Sequence, residues 1–396
     1  MTAQTGEYPQ TAAGPEAINL GLGQPSPSLL PLALIREAAA ARLGAGADPL
    51  VLQYGAIHGP QSFRESLAEL MTRRYHLGAG HEVAASQLLV TGGISSALSF
   101  TAQLFARPGQ TVVCSDPTYF LARGVFESQG LAVEGVPVDA EGIDVSALEQ
   151  RLARGAAPAF VYCMPSFHNP TGACLAPDRA RRLVELAERH DFLVVADEPY
   201  VMLGFAPEPP PCMMTYDEGR GRVLSLGSFS KILAPGLRLG WAHAAEPLIE
   251  RFSLHGALRS GGGLNPVIAS IVQGVIEGGA LDRHIDHLRR TFEARAQALM
   301  DALRQHLPRL VEGVAEPRGG YFVWLPLPEG CDGAALLEAG SEAHGVRFTP
   351  GSRCAVTRDL SRFIRLSFAF YEPDELREGA RRLAKLLTDA GYSVTA

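Results

Sequence analysis

The sequence predicts an α/β fold built on a mostly parallel sheet, and three observations carry that expectation. Between about residues 60 and 245, short apolar runs alternate with amphipathic stretches, the pattern of βα units. Apolar residues make up 46% of the 396 and charged residues 19%, a balance that supports a buried core throughout. The polar residues with chemical capacity fall just after the apolar runs, where open α/β sheets bind their ligands.

Taken in order, the apolar runs place strands at 87–91, 111–115, 131–136, 160–164, 192–196 and 223–226. Helical spacing of apolar residues places helices at 61–75, 95–105, 177–190 and 269–276. Residues 283–307 read as one long helix, because Leu288, Phe292, Ala296, Leu299 and Leu303 form a stripe. Strands near 321–324 and 363–368 and helices near 334–343 and 373–387 then describe a smaller α+β unit. The expected division is 1–55 as an N-terminal segment joining the small unit or an interface, 56–285 as the large domain and 286–396 as the small one. The opening dozen residues are polar and are expected to be loose.

Net charge is −7, which argues against nucleic-acid partners and against attachment to anionic lipid. No apolar run reaches the ~18 residues of a membrane span, and no signal-peptide pattern opens the chain. The six cysteines form no C-x-x-C pair and are expected to be reduced thiols. These features together point to the cytoplasm.

Of the 35 basic residues, only Lys231 and Lys385 are lysine. Lys385 lies on the polar side of an amphipathic stretch and reads as a solvated surface residue. Lys231 lies in Ser228-Phe-Ser-Lys231, just after an apolar run, where an amine can do chemistry that a guanidinium cannot. Capturing an aldehyde requires a neutral amine, hence a desolvated or cationic neighbourhood. Arg238 is a candidate for that neighbour, although a strand-end charge has the same appearance.

Asp197 ends the apolar run Val194-Val-Ala-Asp197, where a carboxylate can pair with a protonated ring nitrogen or simply cap a turn. Tyr200, three residues on, and Asn169, in His168-Asn-Pro-Thr-Gly172, can both donate to a ring phenolate; Asn-Pro-Thr-Gly is also a good turn. Thr91-Gly-Gly-Ile-Ser-Ser96 opens a helix and can present free N–H groups of Gly93, Ile94 and Ser95 to a phosphate, or serve as an ordinary glycine turn. Tyr119, in Asp116-Pro-Thr-Tyr119, offers a face for a flat ring or packs as a loop residue. Aldehyde-capturing amine, ring counter-ion, phosphate cradle, donors and stacking face together describe a pocket for pyridoxal 5'-phosphate.

From Asn19 to Phe368 these residues resemble the fold-type-I aminotransferases of class I/II, with the pattern closest to the aminoadipate and kynurenine branch. The stretch from Ser228 to Arg238, Ser-x-Ser-Lys-x-x-x-Pro-Gly-x-Arg, is the most specific part. The resemblance implies a large domain with a seven-stranded-type, mostly parallel sheet and a smaller α+β domain. It makes Lys231 the lysine that bonds the cofactor and moves protons, with Ser228, Ser230 and Arg238 on the phosphate. Asp197, Tyr200 and Asn169 become ring contacts and Tyr119 the stacking residue. Tyr54 matches a tyrosine that reaches the phosphate held by a neighbouring subunit, implying a homodimer with shared sites. Arg365 matches the arginine that holds the substrate α-carboxylate, and Gly23 a glycine that lets backbone approach the substrate.

Two departures stand out. Ile94-Ser95 stands where the family often has Ser-Gln or Ala-Gln, which leaves the backbone donors and puts a side-chain phosphate contact in doubt, and Cys354 stands where relatives usually carry Phe near the substrate entrance. The loop from Gly261 to Asn265 reads as a plain hinge, with approach to a cofactor across the dimer as the alternative. The expected activity is transfer of an α-amino group, from a neutral aliphatic or aromatic amino acid to a 2-oxo acid by a ping-pong mechanism.

Competing readings are a lyase, decarboxylase or cyclase using the same cofactor, a ligand-sensing domain, and a serine acyl-transferase built on Ser228-x-x-Lys231. The last lacks the K-T-G that accompanies S-x-x-K. His284-x-x-His287 has no acidic or cysteine set beside it, so no metal site is expected.

Overall fold

The computed structural model describes residues 17–75, 82–206 and 210–394. The expected loose opening dozen residues lie outside that set. Eight strands form the main sheet: β2 (Leu88–Thr91), β3 (Thr111–Asp116), β4 (Ala132–Asp139), β5 (Gly142–Ile143), β6 (Phe160–Cys163), β7 (Leu193–Asp197), β8 (Val223–Ser228) and β9 (Gly240–Ala244). Their spatial order is β2-β9-β8-β7-β6-β3-β4-β5. Neighbours from β8 to β4 pair in parallel, whereas β9 is antiparallel to both β2 and β8. Seven strands make up the expected sheet, and the two-residue β5 adds an antiparallel eighth at the edge.

β2, β6, β7 and β8 are buried along their whole length, which is why they read as unbroken apolar runs. β9 was not expected, because Gly-Trp-Ala-His-Ala has neither a run nor an alternation. It is set by packing: a Cβ on Gly227 of β8 would lie 2.0 Å from the Trp241 ring of β9. Those two residues are register partners, so the glycine leaves the space the indole fills. The helices Leu32–Leu43, Phe120–Ser128, Val145–Arg154, Glu246–Ser253 and Gly256–Gly261 were also missed.

Beyond the main sheet, β10 (Phe322–Pro326), β13 (Phe363–Ser367) and β12 (Thr349–Pro350) form an antiparallel three-stranded sheet with β13 in the middle. Helices Gly333–His344 and Pro373–Asp389 complete this unit, as expected. The N-terminal segment divides its contacts. β1 (Ile18–Asn19) pairs in parallel with β11 (Val346–Arg347), while the Leu32–Leu43 helix packs against Pro266–Glu277 and ties to it through Arg42–Glu277 at 2.7 Å. The boundary expected between 285 and 286 falls inside one continuous helix, Ala280–His306, whose buried stripe includes Leu288, Phe292, Leu299 and Leu303.

All six cysteines are free, and all but Cys174 are buried. Lys385 is exposed and pairs with Asp389 one turn on, at 2.6 Å. Among the described residues no helix is long and apolar enough to cross a membrane.

Candidate active site

Chain order reverses across the sheet between β3 and β6, and the carboxyl ends of the strands near that point supply the site. β3 leads to Tyr119, β6 to Asn169, β7 ends on Asp197, and β8 ends on Ser228, three residues before Lys231.

Lys231 is partly buried, and its Nζ donates to the Gly23 carbonyl oxygen at 2.6 Å. Burial, and then the positive charge of Arg365, lowers its ammonium pKa to about 8; Asp197 acts in the opposite direction. Arg238 also lowers it but ranks below Arg365, so the neighbour proposed from sequence is not the dominant one. The Tyr321 hydroxyl donates to the Lys231 carbonyl at 3.2 Å, and the amine lies 5.4 Å from the Tyr321 ring centroid.

Asp197 is 2% exposed. Its Oδ2 accepts from the Tyr162 hydroxyl at 2.6 Å, whereas its buried Oδ1 has no partner among the described residues. Burial raises its pKa to about 6, opposed by the Tyr162 hydrogen bond and the Lys231 charge. An orphaned buried carboxylate oxygen costs free energy unless a donor arrives, and a protonated ring nitrogen is such a donor. The residues present therefore fit pyridoxal phosphate at its ring end.

They fit at the phosphate end as well. Gly93, at φ 84°, precedes the helix Ile94–Phe105, whose first-turn N–H groups have no partners within the helix. A Cβ on Gly93 would come within 3.1 Å of Arg238 Nη2, so the structure brings the glycine turn and the arginine together. Ser228 donates to the Ser230 hydroxyl at 2.9 Å and accepts from the Ser230 N–H at 3.0 Å. Ser95 is exposed, Ile94 is half-buried, and Arg238 holds φ 47° with its side chain open to solvent. The Gly261–Asn265 loop is not a free hinge. A Cβ on Gly262 would lie 2.5 Å from the Gly55 carbonyl and one on Gly263 2.1 Å from that of Ala56, and the Asn265 amide donates to the Arg238 carbonyl.

Arg365, 4% exposed, donates to Asn169 Oδ1 at 2.8 Å, the Gly21 carbonyl at 2.8 Å and Thr349 Oγ1 at 3.1 Å; its buried Nε has no partner among the described residues. Its guanidinium carbon lies 4.2 Å from the Phe322 ring centroid. Gly23 is adjacent, since a Cβ there would lie 3.3 Å from Phe322 and 3.8 Å from Arg365. Tyr200 is buried with its ring 5.0 Å from Tyr321, and burial pushes its phenol well up. Tyr119 is half-buried; burial and the Asp197 charge raise its pKa to about 12, while Arg365 and Arg238 pull it down. Tyr54 is 81% exposed, facing away from this chain's own core. Cys354 is fully buried and thus does not line an open entrance.

Sequence reasoning missed Tyr162, Thr349, Tyr321 and Phe322. A phenol inside the buried run Phe160-Val-Tyr-Cys163 needs a hydrogen-bond partner, and that signal was available for Tyr162. Thr349 faces Arg365 only through the β12–β13 register, which no local pattern encodes.

The family model described as Aminotransferase class I and II matches residues 15–383. The chain is 35% identical to aromatic-amino-acid aminotransferase 1 of Thermococcus litoralis over 94% of its own length and 88% of that protein. It is 31% identical to 2-aminoadipate transaminase of Thermus thermophilus, covering 94% of this chain and 90% of the relative. A crystal structure of Pyrococcus horikoshii kynurenine aminotransferase, in complex with PMP, superposes with a TM-score of 0.86 at 32% identity, covering 96% of this chain and 92% of the other.

Proposed function

The chain belongs to the aminotransferase class I and II family and is a pyridoxal-phosphate-dependent aminotransferase, and on that premise we propose how its own residues run the reaction and which substrates it takes. When bound, the cofactor supplies an aldehyde for the substrate amine and an electron-withdrawing ring. Asp197 Oδ1 would accept from the ring nitrogen, Tyr200 and Asn169 would donate to the ring oxygen, and Tyr119 would cover a ring face. Gly93, Ile94, Ser95, Ser228, Ser230 and Arg238 would hold the phosphate.

Arg365 holds the α-carboxylate in its planar fork, which orients the α C–H. Lys231, its ammonium pKa lowered to about 8 by burial and Arg365, would take the proton from Cα and deliver it to the former aldehyde carbon of the cofactor, two bonds away across the nitrogen. Water would then cleave the substrate C=N bond, releasing the 2-oxo acid and leaving the amino group on the cofactor; an acceptor oxo acid would take up that amino group by the reverse sequence, giving ping-pong kinetics. The observation that carries the reading is the buried, unpartnered Asp197 Oδ1 beside a lysine of lowered pKa.

Neutral aromatic or aliphatic donors suit the site, because Phe322 and Tyr119 lie close to Arg365. The aromatic-amino-acid name of the Thermococcus litoralis relative favours the same class. We also propose the division 1–55, 56–285 and 286–396, with the continuous Ala280–His306 helix bridging the second boundary, together with a cytoplasmic setting and a homodimer with shared sites. Exposed Leu32, Leu50, Leu52 and Tyr54 on one N-terminal segment support the homodimer.

Borohydride reduction of the cofactor-loaded protein, followed by peptide mass spectrometry, should mark Lys231, and Lys231→Ala should abolish both label and transamination. A half-reaction screen over the common amino acids then ranks donors. An unmodified Lys231 would refute the assignment, and activity on aspartate or glutamate alone would refute the substrate class.

A further inference from the structure

Asp116 ends β3, and its fully buried carboxylate does not face the pocket. It accepts instead from three successive backbone N–H groups, those of Val356, Thr357 and Arg358, each at 2.9 Å, and from the Thr357 hydroxyl at 3.0 Å. Consecutive amides converging on one anion make a nest, here filled by a side chain from the other sheet. The adjoining residues extend the contact. Thr118 N–H donates to the Cys354 carbonyl at 2.8 Å, Arg123 Nη1 to the Ala355 carbonyl at 2.5 Å, and Arg358 Nη1 to the Asp116 carbonyl at 3.4 Å. Gly135 on β4 keeps the space open, since a Cβ there would sit 2.7 Å from Asp116 Oδ2 and 2.9 Å from Thr357 Oγ1.

Both ends of this contact lead into the site. On one side, the chain passes from Asp116 through Thr118 to Tyr119 and then to Phe120. On the other, the 354–358 loop follows the turn Gly351–Cys354, which continues directly from β12. β12 carries Thr349, the acceptor for Arg365 Nη2, and pairs with β13, which carries Arg365 itself. The Arg353 guanidinium lies 4.6 Å from the Phe120 ring centroid and that of Arg365 6.0 Å from the same ring, so the two sides also meet across that ring.

We infer that Asp116 is a positioning residue: by clasping the 354–358 loop to the end of β3, it fixes the distance between the ring-stacking Tyr119 and the carboxylate-binding Arg365. It touches neither substrate nor cofactor. Its effect is therefore confined to substrates that use Arg365, and the inference rests on the proposed role of that arginine. A carboxylate suits this place because it accepts four hydrogen bonds at once, whereas an amide would turn NH2 hydrogens toward N–H donors.

The test uses the holoenzyme and its best amino donor alongside the corresponding amine that lacks the carboxylate. In Asp116→Asn, the KM for the amino acid should rise about tenfold, as expected when a hydrogen-bonded charge is lost, while the maximal rate and the reaction with the amine stay unchanged. Hydrogen exchange of the 354–358 amides, measured without substrate, should accelerate in the variant. Thr357→Val removes one of the four bonds, gives the same pattern more weakly, and stands in should Asp116→Asn not fold. Equal losses on amine and amino acid would reduce Asp116 to a structural residue, and unchanged exchange or unchanged KM would overturn the inference. Wild-type protein that fails to transaminate would instead sink the functional reading, while exchange would still report on the clasp.

Discussion

Arg365 Nη1 donates to Asn169 Oδ1 at 2.8 Å, joining a strand of the three-stranded sheet to the turn after β6 of the main sheet. One contact thus ties the proposed carboxylate fork to a proposed ring contact. The fork is held before substrate arrives, with Gly21 and Thr349 taking its other Nη. Preorganisation of this kind lowers the ordering cost of binding.

Arg365→Lys keeps the charge but loses the planar fork. We expect kcat/KM for α-amino acids to fall about 100-fold, mostly through KM, in steady-state assays with the preferred donor.

Tyr162→Phe removes the only hydrogen bond that Asp197 Oδ2 accepts among the described residues and, with it, an interaction that favours the charged carboxylate. The Asp197 pKa should rise further, and cofactor affinity should weaken about tenfold in a fluorescence titration of the apoprotein. The hydroxyl is deep in a fully buried strand, so the overall fold should persist by circular dichroism.

The pH dependence follows from two shifted groups. Lys231 is lowered to about 8 and must be neutral to attack an aldehyde, so cofactor capture by the apoprotein should accelerate as pH rises and level off above about 8. Asp197 is raised to about 6, so its charge, and the affinity for the ring nitrogen, should be lost as pH falls through about 6. Stopped-flow mixing across this range reads both limbs; a rate independent of pH between them would contradict the assignment.

Gly227→Ala places a Cβ 2.0 Å from the Trp241 ring, a large, 1%-exposed side chain with little room to move aside. Overpacking there should cost about 3 kcal/mol, visible as a lowered midpoint in urea unfolding.

The exposed leucines at 50 and 52 predict a second effect. Leu50→Asp combined with Leu52→Asp should leave a folded monomer by light scattering, since charge on an apolar contact face opposes association. Tyr54→Phe should leave the assembly intact and weaken cofactor binding about tenfold, the usual effect of a lost hydrogen bond to a charged group. A dimer unaffected by the aspartates would place its interface elsewhere.

The sequence by itself determined the strand ends and what stands on them. Lys231, Asp197 and Asn169 each follow a buried apolar run, and burial on both faces is a local, readable signal. It did not reveal β9, which is held by a glycine facing an indole on a strand far along no common pattern, nor Arg365's hold on Asn169, 196 positions away. Nor did it reveal which charge governs Lys231. Arg238, seven residues on, was the obvious neighbour along the chain, but burial and Arg365 act more strongly. Tertiary structure decided these points because desolvation, register and hydrogen-bond geometry depend on which segments are brought together, and local residue order does not record that.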